Sequence, residues 1–408
     1  MTNYIKKIKS FDRIDIINYL ILLYAFVLTF PQGIKRFSAI LLIILWISDK
    51  TKTTNLANIS VIFITFNLFI IFTLLSYFWS DSTIQEVFQY AKRYWHYLPL
   101  FVIYKYIKKE YISLSITLFL SGVFISEVLS YGNFFSIWQI GVGSVMDPTV
   151  FYNHTQYSIF LAISSIFLLF KTIDEKNNLI KLFLFLFFLS VTLNLLLNGG
   201  RTGQIAFFIT IIFVSFYRYK FNIKYIIISI ISTALIFILA LNLSSIFSKR
   251  MNLIKSDLIK ISKGNYNTST GARIGFYIIV KDIFIINPIL GAGTTSHLQL
   301  SKKIISEKYQ TFTLTKKLAH FHNQYLEVLS QLGLIGLSFF IFLIVMIYKI
   351  KIQEQNIKMI KVITILVFCI GSMADVLFYL HGTISLFSFI IGISLAQYRY
   401  EKNKGMIN

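Results

Sequence analysis

One cysteine, Cys369, stands in the whole chain of 408 residues, so neither an intrachain disulfide framework nor a cysteine-based metal site can form. It lies inside an apolar block and reads as a small core residue. No phosphate-binding loop of the GxxxxGK[ST] type is present, which removes the obvious means of using ATP. HExxH is absent too, and the carboxylates form no dense outward-facing cluster, so the pattern requires no metal. Acidic residues are scarce: 17 Asp and Glu stand against 39 Lys and Arg, a formal charge of +22. That excess does not point to nucleic acid. The cations sit in short clusters between apolar blocks, the pattern of membrane topology and contact with anionic lipid.

What the chain has is apolar surface. It is 56% hydrophobic, with a mean hydropathy of +0.70, far from a soluble globular domain of this length. The apolar residues come in blocks of roughly 15 to 25, long enough to cross a bilayer core. The expected fold is all-α: a polytopic membrane protein, one integral membrane domain over residues 1–408, with about twelve spans. They fall near 16–30, 37–47, 56–78, 87–104, 111–131, 155–170, 182–197, 203–216, 225–247, 324–348, 362–380 and 384–396. The second is short and reads as partly re-entrant. The basic N-terminal stretch carries no signal-peptide h-region, so the first helix is expected to direct insertion.

Lysine and arginine counts orient the chain. With the N-terminus inside, inside segments carry 22 Lys and Arg and the short outside loops carry 3. Residues 248–321, between the ninth and tenth spans, are the exception, with twelve Lys and Arg and three Asp and Glu. A loop this long escapes the rule, and it reads as a large extracytoplasmic cap facing an anionic substrate or headgroups. A helix is expected to begin at Thr270-Gly271-Ala272-Arg273 and to stop before Pro288 and Gly291-Ala292-Gly293. On it Arg273, Tyr277 and Lys281 share one face.

Arg201 and Arg273 each stand at the start of an apolar helix beside glycine. A helix start is already an anion site, and a cation there is unfavourable unless an anion is present. Arginine matches phosphate with a planar bidentate fork, and Gly200 and Gly271 would let backbone approach the ligand. A snorkelling interface arginine would explain Arg201 alone, and an exposed loop arginine would explain Arg273 alone. His320-Phe321-His322-Asn323 ends the polar loop where the tenth span begins. His322 can accept a proton near neutral pH, Asn323 can orient a hydroxyl or the imidazole, and His320 is the weaker neighbour. Gly333 and Gly336 form a small-x-x-small pair suited to close helix packing. Lys92, Arg93 and His96 in the fourth span either help to bind phosphate or pack on an acidic partner, and Asp375 in the eleventh reads as a counter-ion for one of the basic residues.

Three stretches carry a family resemblance from about residue 60 to the C-terminus: Gly200-Arg201-Thr202-Gly203, Gly271-Ala272-Arg273 with Pro288 and Gly291-x-Gly293, and His322-Asn323-x9-Gly333-x-x-Gly336. The chain resembles the O-antigen ligase/polymerase superfamily, and more narrowly the lipopolysaccharide O-antigen ligases. That resemblance implies a GT-C-like membrane glycosyltransferase of the Gram-negative inner membrane, multi-pass, its active site facing the periplasm. It implies an undecaprenyl-diphosphate-linked glycan as donor, lipid A–core as acceptor, contact with membrane lipids, and no nucleotide, metal or other cofactor. Arg201, Arg273 and His322 would be catalytic, with Asn323, His320, Lys92, Arg93, Gly200 and Gly271 binding substrate. An O-antigen polymerase is the alternative within the superfamily. A twelve-helix transporter or lipid flippase is the alternative outside it, and it should show two matching halves with interrupted helices.

Overall fold

The computed structural model describes residues 12–49, 59–220, 222–243, 245–317 and 319–407. Among them are seventeen α-helices and no strand. In chain order these are α1 (Arg13–Phe26), α2 (Gln32–Ile47), α3 (Ser60–Leu75), α4 (Ile84–Ala91), α5 (Leu98–Tyr106), α6 (Lys109–Phe134), α7 (His154–Asp174), α8 (Asn178–Leu197) and α9 (Arg201–Arg218). Then follow α10 (Ile223–Leu243), α11 (Ser245–Ser262), α12 (Ser269–Ile286), α13 (Ser296–Lys308), α14 (Thr313–Lys317), α15 (Gln324–Lys349), α16 (Gln355–Gly371) and α17 (His381–Asn403). Short polar side chains start many of them. Asn153, Asn177, Thr268 and Asn323 each accept backbone N–H bonds in the first turn of the helix that follows, and Thr83 makes a capping box with Glu86.

Among the described residues, six helices are long and apolar enough to cross a membrane: Ser60–Trp79, α6, α7, α8, Ile223–Asn242 and α15. Their packing sorts them. α7 is held between α8, α9 and α16, and 83% of its most apolar stretch is buried; α10 buries only 22% of its own and so presents most of its side chains outward. Where nothing but lipid lies outside, apolar contact alone does not hold helices together, and polar bridges contribute. One is Ser165 to Thr192, 2.6 Å, between α7 and α8. Elsewhere α17 lies along α5, α1 along α6, and α15 along α3.

Three expected spans differ in the structure. Residues 87–104 are not one helix. α4 stops at Ala91, Lys92–Tyr97 forms a 3-10 turn, and α5 restarts with Pro99 in its first turn. Pro99 has no N–H for the bond back to Trp95, and the exposed cations Lys92 and Arg93 favour a turn over a continued apolar helix. Residues 362–380 likewise split: α16 ends at Gly371, and turns over 372–380 carry Asp375 out of the helix. The ninth span ends at Leu243, and α11 is a separate helix. The second is one sixteen-residue helix. The basic N-terminal residues Lys6, Lys7 and Lys9 and the start of the third span at 56–58 lie outside the described residues.

The segment 248–321 is helical, as its pattern suggested. α12 packs on α11, α13 and α15 around a small core of its own that includes Phe276, Ile279, Ile283, Ile305 and Phe312. Phe321 closes that core, its ring 4.8 Å from Phe276. The residue before His322 is therefore anchored in the cap.

Candidate active site

The strongest cluster sits where the cap meets the bundle. Asn323 is the N-cap of α15, and its Oδ1 accepts from the N–H of Tyr325 and of Leu326. Its Nδ2 donates to the Tyr277 hydroxyl of α12 at 2.7 Å and to the Met373 carbonyl at 3.1 Å. Gln324 N–H donates to the Ser372 carbonyl, 2.8 Å. One side chain thus ties the cap, the start of α15 and the turn after α16. With its amide so committed, Asn323 acts by positioning its neighbours.

His322, next to it, has φ +48°, the left-handed region that a non-glycine residue enters at a cost of about 1–3 kcal/mol. Its Nδ1 lies 3.6 Å from Asp375 Oδ1, and His320 Nδ1 lies 4.0 Å from the same oxygen. The Asp375 side chain is 7% exposed, that of His322 24%. Burial alone would raise the Asp375 carboxyl; the adjacent His322 imidazole, then the charge of His320, hold it below the usual carboxylate range. Burial pushes the His320 imidazole down, and the neighbouring His322 adds to this. Asp375, read from the sequence as a counter-ion, thus faces two histidines and no lysine or arginine ion pair among the described residues. With Nδ1 of His322 turned to the carboxylate, Nε2 is the nitrogen left to take a proton. Donor atoms of His320, His322 and Asp375 also all lie within 4.8 Å of one another. Two imidazoles and a carboxylate are a donor set that a divalent transition metal could bridge, although no spacing in the sequence flagged one.

Two buried residues that sequence reasoning missed fix this loop. Glu327, 3% exposed, accepts from Phe321 N–H at 2.9 Å, from Gln331 Nε2 at 2.8 Å, and pairs with His297 Nε2 of α13 at 3.1 Å. A carboxylate one turn into an otherwise apolar span was the available signal. Gly333 and its surroundings supply the second device. Gly333 is not a packing notch between helices: with φ +60° and ψ −159° it breaks α15. Leu334 and Ile335 N–H donate to the carbonyls of Pro288 and Ile289, not to Ser330 and Gln331. The two carbonyls freed by the break accept from Ala292 and Gly293 N–H at 2.8 and 2.9 Å. The segment after α12 is thus spliced into the broken ladder, which satisfies these four backbone groups.

The other sequence candidates are distributed around this point. Arg201 opens α9, and the methyl of the next residue, Thr202, lies over Gly371, the last residue of α16 before the Asp375 turn. Gly200 and Gly203 serve packing: a Cβ on either would sit 2.4 Å from backbone oxygen of α7. The Gly200 N–H donates to Asn198, and the Gly199 N–H to Asp147, which also pairs with His154 at 2.9 Å. Gly271 is equally occupied, crowded by Tyr266 and capped by Thr268. Arg273 stands one turn before Tyr277 on α12, half-buried. Lys92 is exposed, and the Arg93 guanidinium lies 3.7 Å over the Tyr379 ring, close enough for its charge to act on His320. An apolar groove of about 320 Å³ between α8 and α10 is lined by Leu193, Leu196, Leu197, Ile236 and Leu239, and Leu197 is the last residue of α8 before the turn that leads to Arg201.

These features define a polytopic helical membrane protein with a helical cap clamped over a histidine–carboxylate site. Residues 184–341 match the family described as O-antigen ligase, so this stretch is similar to that family of membrane glycosyltransferase-like enzymes. The match takes in Arg201, Arg273 and the motif from His322 to Gly336. A curated protein of Haemophilus influenzae, described as uncharacterized, is 29% identical over 209 residues, 50% of this chain and 51% of that protein. The chain spans about half the length of that relative.

Proposed function

We propose that this protein is an O-antigen ligase of the Gram-negative inner membrane. It transfers a glycan from an undecaprenyl diphosphate to lipid A–core on the periplasmic side, without nucleotide or metal. The excess of Lys and Arg in the segments read as inside, 22 against 3, supports an outer-surface position for the site and for the segment 248–321. The observation that carries the reading is the His322–Asp375 pair at the start of α15, within reach of the cap helix that bears Arg273.

In this reading the acceptor hydroxyl oxygen attacks the anomeric carbon of the donor, and the bond from that carbon to the diphosphate oxygen breaks with inversion. Nε2 of His322 takes the hydroxyl proton, and Asp375 stabilises the imidazolium that results. Arg201 and Arg273 stabilise the charge growing on the departing diphosphate, so no general acid is required. The polyprenyl chain lies along the groove between α8 and α10. Arg93 and Lys92 flank the glycan, and His320 lines the site.

A lipopolysaccharide gel of a deletion strain tests this. Loss of all long chains with accumulation of lipid-linked O-antigen supports the ligase. A core carrying a single repeat unit would assign the chain to polymerisation, and an unchanged ladder would remove it from the pathway.

A further inference from the structure

A second group of basic side chains lies apart from the histidine–carboxylate pair. Lys35 of α2 is 1% exposed and His96 of the 3-10 turn 4% exposed. Lys35 Nζ donates to the His381 carbonyl at 3.1 Å and stands 5.1 Å over the Tyr152 ring. The His96 and His381 rings are 6.1 Å apart. Nε2 of His381 is buried and has no hydrogen-bond partner among the described residues. The titratable groups that act on His96 are Lys35, His381, Arg36 and Arg93, with no acidic group among them. No carboxylate forms an ion pair with any of the five among the described residues.

A buried cation with no counter-charge costs several kcal/mol, and in a membrane protein such a group marks a ligand or ion path by default. Here Lys35 and His96 are buried, His381 is half-buried, and Arg36 and Arg93, whose charges act on both histidines, are exposed. We propose that Lys35, Arg36, Arg93, His96 and His381 form an anion site for a phosphoryl group, separate from the pair Arg201 and Arg273. Lysine, arginine and imidazole donors converging from three chain segments suit a multiply charged tetrahedral oxyanion better than a planar carboxylate. Arg93 also acts on His320, which puts the site beside the candidate active site. The phosphoryl group comes either from a phosphorylated saccharide substrate or from a phospholipid headgroup; only the first source rests on the function proposed above.

Thermal unfolding of the purified full chain in uncharged detergent tests the site. Inorganic phosphate and pyrophosphate are titrated against sodium chloride of equal ionic strength, and the chain is also reconstituted in phosphatidylcholine nanodiscs with and without phosphatidylglycerol. A ligand that binds only the folded state raises Tm with concentration. Phosphate or pyrophosphate should raise Tm in detergent if a substrate group is the ligand, and phosphatidylglycerol alone should do so if a headgroup is. Arg36→Gln and His381→Gln should each raise the half-saturating concentration at least tenfold, whereas Arg201→Lys should leave it in place. Lys35→Met should abolish the response and raise Tm in its absence, because an unpaired buried cation is gone. The proposal is overturned if no probe stabilises the wild type, or if Arg201→Lys removes the response while Arg36→Gln and His381→Gln keep it. The readout is binding, so a failed ligase assay leaves it standing.

Discussion

Nδ1 of His322 lies 3.6 Å from Oδ1 of Asp375, one imidazole and one carboxylate brought together from the start of α15 and the turn after α16. The backbone holds the histidine there in a left-handed conformation, and Glu327 grips the residue before it.

If this pair takes the acceptor's proton, His322→Ala should slow the chemical step by about 10²–10⁴-fold with donor binding nearly unchanged. His320→Ala should do much less. Single-turnover kinetics with bound donor separate the two effects. A His322→Ala enzyme that binds donor poorly yet converts it at the normal rate would move His322 among the diphosphate ligands.

Asp375 sets the pH dependence. Its carboxyl is held below the usual range, so it is ionised throughout pH 5–8, and its contribution to stability is lost only as pH falls through its depressed folded value. The acid limb of the rate profile should therefore belong to imidazole protonation. Asp375→Asn removes the negative charge that favours imidazolium, so that limb should move to lower pH. A limb that stays in place, or moves up, would mean Asp375 does not act on the base.

Arg201→Lys and Arg273→Lys keep the charge but lose the planar fork. Each should cost about 1.5–3 kcal/mol of transition-state stabilisation, roughly ten- to hundred-fold in rate, while the protein still inserts. Near-normal turnover of both variants would leave interface anchoring as their role.

Much of this was legible in the chain. Apolar block length gave the all-helical class, and the expected start at Thr270 and stop before Pro288 lie close to the observed bounds of α12, Ser269 and Ile286, as Asn323 does to the start of α15. His322, Asn323 and Tyr277 were visible because cap chemistry and helical spacing are local. Glu327, His297 and the role of Asp375 were not, because their pairing joins residues 30 or more positions apart. Hydropathy averaging also hid the breaks at Lys92–Tyr97 and after Gly371, since a turn flanked by apolar helices has the mean of a span. Gly333 failed for another reason: spacing cannot tell a glycine that admits a neighbouring helix from one that ends its own hydrogen-bond ladder.

Metal withdrawal discriminates between the two uses of His320, His322 and Asp375. A base must keep Nε2 free and unprotonated, so dialysis against a chelator should leave activity unchanged. Added zinc should inhibit, since the three donor groups can close on it. Activity lost to the chelator and restored by a metal would replace the base mechanism with a metal-assisted one.

Topology is open to cysteine labelling in the single-cysteine background. Positions Ser262 and Ser306 of the cap are exposed, as are Asn177 and Gln355 at helix starts. The asymmetry of 22 against 3 Lys and Arg predicts labelling of the first two in intact spheroplasts and of the second two only after permeabilisation. The reverse pattern would put the candidate site in the cytoplasm and end the periplasmic reading.

The splice at Gly333 makes the most local prediction. Its φ of +60° and ψ of −159° fall in a region that only glycine occupies readily, and a Cβ there would lie 2.2 Å from the Ile289 carbonyl oxygen. Gly333→Ala must therefore either straighten α15, which strands Pro288, Ile289, Ala292 and Gly293 without their backbone partners, or displace the 288–293 segment. Backbone strain alone costs about 1–3 kcal/mol, and each stranded buried group adds about 1–3 more. Leu334→Ala, at a 47%-exposed neighbour, should stay within about 0.5 kcal/mol of wild type. Because the splice holds α12 and α13 against α15, Gly333→Ala should also raise hydrogen exchange over 288–296 and lower turnover in protein that still inserts. A Gly333→Ala protein with wild-type Tm and unchanged exchange there would show that α15 tolerates a continuous ladder and that the cap does not depend on the break.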